Sequence, residues 1–334
     1  MKRTLVIGAG LVGAQVARLL VEAGERPVLM DRAPQPQALG AIVDLGAVVL
    51  EQADVLQPLA LARVLREHRI EAVVHLAANP LLTMGAQADP RGAIELNIAG
   101  TANVLEAARV FGLERVVVAS SNVLNHHLAG GEGAGDAMDE EAFARPVSIY
   151  AACKQAVEAL GLNYARWFGV EFAALRYGAV AGPWSGAGGG GPSNAFLGLV
   201  RAALAGEEVA VPATTLEWVY AKDAAAGTVA ALRARLTSRV FNLTMGSLTS
   251  PEALAAAIRA EFPQARVRLA APAGTPAFAP MTRASSLERA RAVLAWAPAY
   301  DMPAAVRDLA AWLRAHGVRP ASPAAPARAP GTPR

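Results

Sequence analysis

The chain has 334 residues, 54% hydrophobic and 18% charged, and its 31 Lys and Arg against 28 Asp and Glu leave a net charge of +3. That length and apolar fraction exclude a minimal domain and a disordered chain, and suit one large domain or two of ordinary size. The cations are scattered and form no stripe that would follow phosphates, so nucleic acid is not an expected partner. The single Cys153 leaves no disulfide framework or multi-cysteine zinc site and fits a reducing, cytoplasmic setting.

Along the first half, β-branched runs at Thr4–Ile7, Pro27–Met30, Ala47–Leu50, Ala72–Leu76, Arg115–Ala119 and Val170–Arg176 read as strands. Helical patterns at Val12–Glu22, Pro58–His68, Asp89–Phe111 and Ser148–Phe168 alternate with them. Six strands joined by helices predict a doubly wound α/β fold around a parallel sheet, a Rossmann fold. The second half is less regular. Helices are expected at Ser193–Ala205, Asp223–Arg235, Pro251–Phe262, Ser286–Trp296 and Pro303–His316, with short strands at Val209–Val211, Trp218–Tyr220, Val240–Leu243 and Val267–Leu269. Residues 1–177 and 218–246 are assigned to the dinucleotide-binding domain, and 178–217 with 247–317 to a smaller C-terminal α/β substrate-binding cap. Residues 318–334, almost wholly Ala, Pro, Ser, Thr, Gly and Arg, are read as a disordered tail.

No membrane partner is expected. Glycines at 8, 10 and 13 and the polar Gln15, Arg18 and Glu22 interrupt the N-terminal apolar run, so it does not read as a secretion signal. Tyr177–Val200 lacks Asp, Glu, Lys and Arg, yet its eight glycines and two prolines make it a loop. Glycine-rich stretches at Gly130–Gly135 and Gly186–Gly191 are expected to be mobile loops.

Gly8-Ala9-Gly10-Leu11-Val12-Gly13 is a G-x-G-x-x-G that follows a strand and opens a helix, and that context gives the string its weight. Gly8 permits the tight turn, Gly10 lets the backbone approach a pyrophosphate, and Gly13 lets helix and strand pack closely, with the helix N-terminus facing the negative charge. Asp31, at the end of the second strand, can accept hydrogen bonds from ribose hydroxyls and would repel a 2′-phosphate, which favours NAD over NADP. Arg32 beside it is the residue type that would serve such a phosphate. Asp54 and Val55, after the third strand, are placed to frame the adenine.

Tyr150 and Lys154 stand at i and i+4 on one helix face. A phenol is a poor acid or base at neutral pH, and a nearby lysine cation favours the phenolate. Ser121, just past the fifth strand, is placed to hydrogen-bond the substrate oxygen. Such a set suits hydride transfer between a carbinol and nicotinamide, although a Tyr-x-x-x-Lys alone is commonly a surface pair.

With the glycine fingerprint ahead of it, the chain resembles the extended short-chain dehydrogenases/reductases, the NAD-dependent epimerase/dehydratase family. Matching segments run over nearly all of residues 1–317. His75-Leu76-Ala77-Ala78 is similar to the family's fourth-strand motif, whose alanines lie along the cofactor. Asn97-Ile98-Ala99-Gly100-Thr101-Ala102-Asn103 resembles its N-x-x-G-T-x-N helix, in which Asn97 would support the surroundings of the lysine. Ala119-Ser120-Ser121, Leu175-Arg176-Tyr177 with Gly182-Pro183, Val219-Tyr220 with Asp223, and Phe241-Asn242-Leu243 follow in the family's order. The resemblance implies catalysis by Ser121, Tyr150 and Lys154, and NAD contacts from Gly8, Gly10, Leu11, Val12, Gly13, Asp31, Arg32, Asp54, Val55, Leu76, Ala77, Ala78, Asn97, Tyr150, Lys154 and Tyr177.

Departures from the family pattern bear on the substrate. Nucleotide-sugar members usually carry an asparagine where this chain has Ala179 and an arginine where it has Glu217, and both commonly help bind the diphosphate. A glutamate would repel that ligand unless its charge is matched or it points away. Asn122, His126, Ala179, Asn194 and Glu217 are the candidate substrate contacts, Asn194 being equally suited to cap a helix. Adjacent His126 and His127 do not face one another, so no metal is expected. Cys153 reads as a small packed residue.

Three functions remain open. The leading one is an NAD-dependent dehydrogenase acting on a secondary alcohol or ketone, such as a sugar acid or lactol. The second is a nucleotide-sugar 4-epimerase or dehydratase that keeps its NAD, and the third a non-catalytic NAD-binding regulator. A homodimer through the helices at Asp89–Phe111 and Ser148–Phe168 is also consistent with family habit.

Overall fold

A computed structural model describes residues 3–77, 88–126, 138, 140–141, 146–271 and 281–316. Ala78, His127, the Gly130–Gly135 loop and the 318–334 tail lie outside the described residues, and only the backbone of His126 is described.

Among the described residues twelve strands fall in chain order: β1 Thr4–Ile7, β2 Val28–Asp31, β3 Val49–Gln52, β4 Ala72–His75, β5 Arg115–Ser121, β6 Phe172–Tyr177, β7 Ala179–Ala181, β8 Val209–Val211, β9 Leu216–Tyr220, β10 Val240–Leu243, β11 Leu248–Thr249 and β12 Val267–Leu269. Seven form one sheet in the order β10-β6-β5-β4-β1-β2-β3, and every pair in it is parallel. Parallel neighbours need crossovers, and helices supply them on both faces. The expected doubly wound fold is therefore present with one strand more than the first half suggested. Val240–Leu243, read as a short strand of the second half, pairs with β6 and closes that edge of the main sheet.

Period-two alternation sends successive side chains to opposite faces. Val6, Leu29, Val74, Val117, Leu175 and Phe241 pack against the helices Leu11–Glu22 and Ala221–Arg233. Leu5, Met30, Val73, Val116, Val118 and Phe172 pack on the other side against Pro58–Glu67, Gly100–Phe111 and Ile149–Phe168. The last helix lies close on β6 because Gly161 faces the Phe172 ring, where any Cβ would collide. Trp296, late in the chain, fills the first of these cores and donates its indole N–H to the carbonyl of Asp223 at 3.0 Å.

A third core, with Phe196, Val209, Trp218, Tyr220, Ile258 and Leu309, belongs to the second half. There β7 runs parallel to β9, β11 runs antiparallel to β9, and β12 pairs with β8.

Two boundaries differ from the sequence reading for local reasons. The third strand begins at Val49 and not Ala47 because Asp44 accepts from the Gly46 amide and winds Leu45–Ala47 into a 3-10 turn. The long helix at Asp89–Phe111 carries a π-helical turn at Glu95–Ala99, between Pro90–Ile94 and Gly100–Phe111. Among the described residues no helix is long and apolar enough to cross a membrane.

Candidate active site

The strand order reverses at β1, which has β2 on one side and β4 on the other. In such sheets a crevice opens there beyond the carboxyl ends of the strands. Every principal site element sits at that edge. Gly8 leaves β1 with φ +98° and donates its amide to Met30 at 2.8 Å, and a Cβ there would stand 2.7 Å from the amide nitrogen of Ala77. A Cβ on Gly13 would collide with the Gly8 carbonyl, so strand and helix can approach this closely only through glycine. Gly10 caps the helix Leu11–Glu22 without a side chain, and nothing lies within 4 Å of where its Cβ would be. A turn packed tight behind, open in front and backed by a helix N-terminus fits a pyrophosphate.

The neighbouring groups complete that cradle. Leu76 and Ala77 both donate their amides to Ile7, which lays the end of β4 against the glycine turn. Asp31 accepts from the Ala9 amide and from the Ala33 amide, each at 2.9 Å, so the carboxylate is held at the mouth of the crevice. Arg32 is exposed and engages the structure through its carbonyl, which accepts from Gln52. Asp54 accepts from the Leu56 amide, and Asn103 donates to the carbonyl of the buried Val55. Leu11 is buried and Val12 half-buried.

Across the switch point, Ser121 ends β5, and its hydroxyl accepts from the Val123 amide at 3.3 Å. Ser148 caps the helix that follows by accepting from the Ala151 amide at 3.2 Å, and Tyr150 and Lys154 lie one turn apart within it. The Lys154 Nζ stands 5.5 Å from the Tyr150 ring centroid and donates to the Ala119 carbonyl at 2.8 Å. Burial pushes the Tyr150 phenol up to about 12, opposed by the neighbouring Ser121 hydroxyl. Burial also pulls Lys154 down to about 8. The expectation that the lysine cation lowers the phenol is thus corrected: the ammonium is committed to Ala119 and desolvation dominates. His75 is buried next to this pair, pulled down to about 3 by burial and by the charge of Lys154, and its Nδ1 has no hydrogen-bond partner among the described residues. Asn97 is buried in the π-helical turn, where it donates to the Ala93 carbonyl at 2.8 Å.

A buried polar network surrounds Ser121 on both sides. Ser120 donates to Glu158 at 2.5 Å, and Arg176 grips the same carboxylate through two bonds of 2.9 and 2.8 Å. Arg176 also donates to Asn125, which in turn donates to Asn242 and Ser285. Glu217, with no solvent exposure, accepts from Asn122 at 3.0 Å, Thr244 at 2.8 Å, the Ser285 amide at 2.8 Å and the Ser285 hydroxyl at 2.7 Å.

The expected substrate contacts fall at different depths around this network. Glu217 and Asn122 are buried and bonded to each other. Asn194 is exposed and folds back onto the Gly189 carbonyl, while the cap of its helix is Gly190. Ala179 opens β7 opposite Trp218. The Tyr177 hydroxyl is turned into the core against Thr228 at 2.6 Å, so contact with a cofactor is left to its backbone. Sequence reasoning missed Glu158, Asn125, Thr244 and Ser285. Of these only Glu158 carried a signal, lying four residues after Lys154 on the same helix face.

A phosphate turn at the switch point, facing a serine, tyrosine and lysine gathered on β5 and the following helix, defines the short-chain dehydrogenase/reductase class. The chain belongs to the NAD dependent epimerase/dehydratase family, whose profile matches residues 4–244. It is similar to the UDP-glucuronate 4-epimerase of Thermodesulfobacterium geofontis, with 27% identity over 199 residues covering 58% of each chain. The chain spans about half the length of the curated relatives it matches. Among solved structures, a partial consensus L-threonine 3-dehydrogenase aligns with a TM-score of 0.80 and 27% identity over 94% of this chain and 99% of that one. The UDP-glucose 4-epimerase of Thermus thermophilus, in complex with NAD, aligns with a TM-score of 0.80 and 24% identity over the same shares.

Proposed function

We propose that this protein is an NAD-dependent oxidoreductase that moves a hydride between nicotinamide and a secondary alcohol or its ketone, with a small substrate such as a sugar acid, lactol or β-hydroxy amino acid. The gathering of Ser121 at the end of β5 with Tyr150 and Lys154 one helical turn apart, the Lys154 Nζ 5.5 Å from the Tyr150 ring, carries this reading.

Gly8, Gly10, Leu11, Val12 and Gly13 would hold the pyrophosphate, and Asp31 the adenosine ribose. Arg32, Asp54, Val55, Leu76, Ala77 and Asn97 stand around that position. The dinucleotide, when bound, accepts or returns the hydride. Ser121 would orient the substrate oxygen, Tyr150 would take or give its proton, and Lys154 would fix the floor beneath them through Ala119. The dinucleotide-binding part comprises residues 1–177 and 218–246, and residues 178–217 with 247–317 cover the substrate.

A nucleotide-sugar 4-epimerase is the second reading, favoured by the names of the curated relatives. The buried, fully hydrogen-bonded Glu217 speaks for the first, because it offers no cation to a diphosphate. Incubation with NAD and a panel of polyols, uronic acids, hydroxysteroids and L-threonine, followed by NADH absorbance, tests the choice. Interconversion of UDP-sugars without free NADH, and no turnover of the panel, would decide for the epimerase.

The helices Gly100–Phe111 and Ile149–Phe168 expose Val110, Phe111, Leu162, Trp167 and Phe168, the last three on one helix. This apolar surface supports a homodimer through those helices. A buried, unpaired Cys153 supports a cytoplasmic setting.

A further inference from the structure

Between β7 and the helix Gly191–Ala205 the chain crosses the front of the dinucleotide half. It starts at Gly182, where a Cβ would stand 3.5 Å from Leu11, the residue after the second fingerprint glycine. Trp184 then sinks into the first core, which also holds Leu11, Ala38 and Leu39. At Ala187 the segment meets Gln35, four residues beyond Asp31 in the sequence. The Gln35 amide donates to the Ala187 carbonyl at 3.1 Å and accepts from the Ala187 N–H at 2.6 Å. The Trp184 indole donates to the same carbonyl at 3.2 Å.

One side chain thus satisfies both backbone groups of a residue 152 positions away, the pairing a neighbouring strand would provide. The approach depends on Gly186. A Cβ there would lie 2.7 Å from the Gln35 Oε1 and 2.6 Å from the Trp184 ring. Gln35 is itself held as the residue preceding the helix Pro36–Gly40. The two anchor points, Leu11 and Gln35, bracket the stretch in which a pyrophosphate at Gly10 and a ribose at Asp31 would lie.

We propose that Gln35 is a positioning residue of the cofactor site: paired with Ala187, it straps residues 182–187 across the adenosine half of the crevice and sets how slowly the dinucleotide leaves. The inference rests on the dinucleotide reading above. A strap formed by partly exposed hydrogen bonds, each of modest net strength, slows escape without being needed for folding. It also bears on the choice between a dehydrogenase that must exchange its cofactor and an epimerase that keeps it.

NADH is the probe. Its fluorescence follows binding to the full-length protein in a stopped flow, and displacement by excess NAD gives the dissociation rate. Gln35→Ala is expected to raise that rate about tenfold, the factor that the loss of one to two such bonds corresponds to, with the association rate changed less than about threefold. Gln35→Glu, which keeps the acceptor for the Ala187 N–H and loses the donor, should fall between wild type and Gln35→Ala. The same melting temperature in all three proteins is expected, since the Gln35–Ala187 bonds are partly exposed and both substitutions leave Trp184 in its core. Equal dissociation rates in wild type and Gln35→Ala would overturn the proposal, as would a lowered melting temperature with both rate constants altered together. A wild-type protein that binds no NADH would instead overturn the dinucleotide reading on which it rests.

Discussion

The carboxylate of Glu217 holds Asn122 at 3.0 Å, and Asn122 is the residue after Ser121. Ser120, on the other side of Ser121, is held by Glu158. Two buried carboxylates on different elements therefore pin the backbone on both sides of the serine hydroxyl that neighbours Tyr150. Glu217→Ala would leave the Asn122 side chain, the Thr244 hydroxyl and the Ser285 amide without their acceptor. A loss of about 3 kcal/mol or more is expected, read as a lower urea midpoint. Glu217→Gln should cost less, because the Asn122 amide can turn over to accept from the new NH2 group. If the carboxylate steadies Ser121, Glu217→Gln should slow turnover in the wild-type background and add nothing once Ser121→Ala is present.

Tyr150→Phe removes the phenolic hydroxyl and leaves the ring, the helix and the glycine turn as they are. Turnover should drop by about a hundredfold or more while NAD affinity by calorimetry stays within about threefold. An active Tyr150→Phe protein would assign the proton to another group. Because burial pushes Tyr150 well above neutral, oxidation of an alcohol needs the scarce phenolate and should accelerate as pH rises from 7 towards 9. Ketone reduction draws on the abundant phenol and should be fastest on the neutral side.

His75 supplies a stability test that needs no substrate. Its folded value of about 3 lies below its ordinary 6.5, so the unfolded chain binds more protons between those limits. Stability from this residue is present above pH 6.5 and is lost as pH falls towards 3, on the order of 3 kcal/mol by about pH 4. His75→Asn has no such titration. Denaturation midpoints of the two proteins, measured from pH 7 to pH 4, should converge as the acid limb of the wild type steepens.

Asp31 is already bonded to two backbone amides, and a 2′-phosphate brought against it would meet a like charge. NAD should bind at least about tenfold more tightly than NADP, and Asp31→Asn should narrow that gap by removing the repulsion. Equal affinities in the wild type would place Arg32 and not Asp31 in charge of the choice.

The legibility of the molecule follows the range of the interactions. Gly8, Gly10 and Gly13 were readable because a phosphate turn is local: a strand, three glycines and a helix within a few residues. Tyr150 and Lys154 were readable because one helical turn relates them. Glu217 was visible as an oddity, but its meaning was not. Its partners Asn122, Thr244 and Ser285 lie 95, 27 and 68 positions away, and no periodicity encodes such a meeting. Val240–Leu243 reads locally as a strand, yet its place in the main sheet depends on pairing with β6 across more than sixty residues. Even the phenol followed this rule, since the spacing put a cation beside it while the depth of burial, a tertiary quantity, decided the direction of its shift.

Trp296 belongs to a core that also takes in residues of β1, β2 and the helix Leu11–Glu22, laid down at the opposite end of the chain. A ribosome therefore delivers the glycine turn and its strand long before it delivers Trp296, which packs at Gly227 and Asp223 of the same core. Until Leu287, Ala290, Leu294 and Trp296 emerge, the nascent nucleotide-binding half presents an unfinished apolar surface. The first Rossmann strands therefore leave the ribosome before the core they share is complete, and the nascent chain differs from the folded one in what a chaperone can grasp.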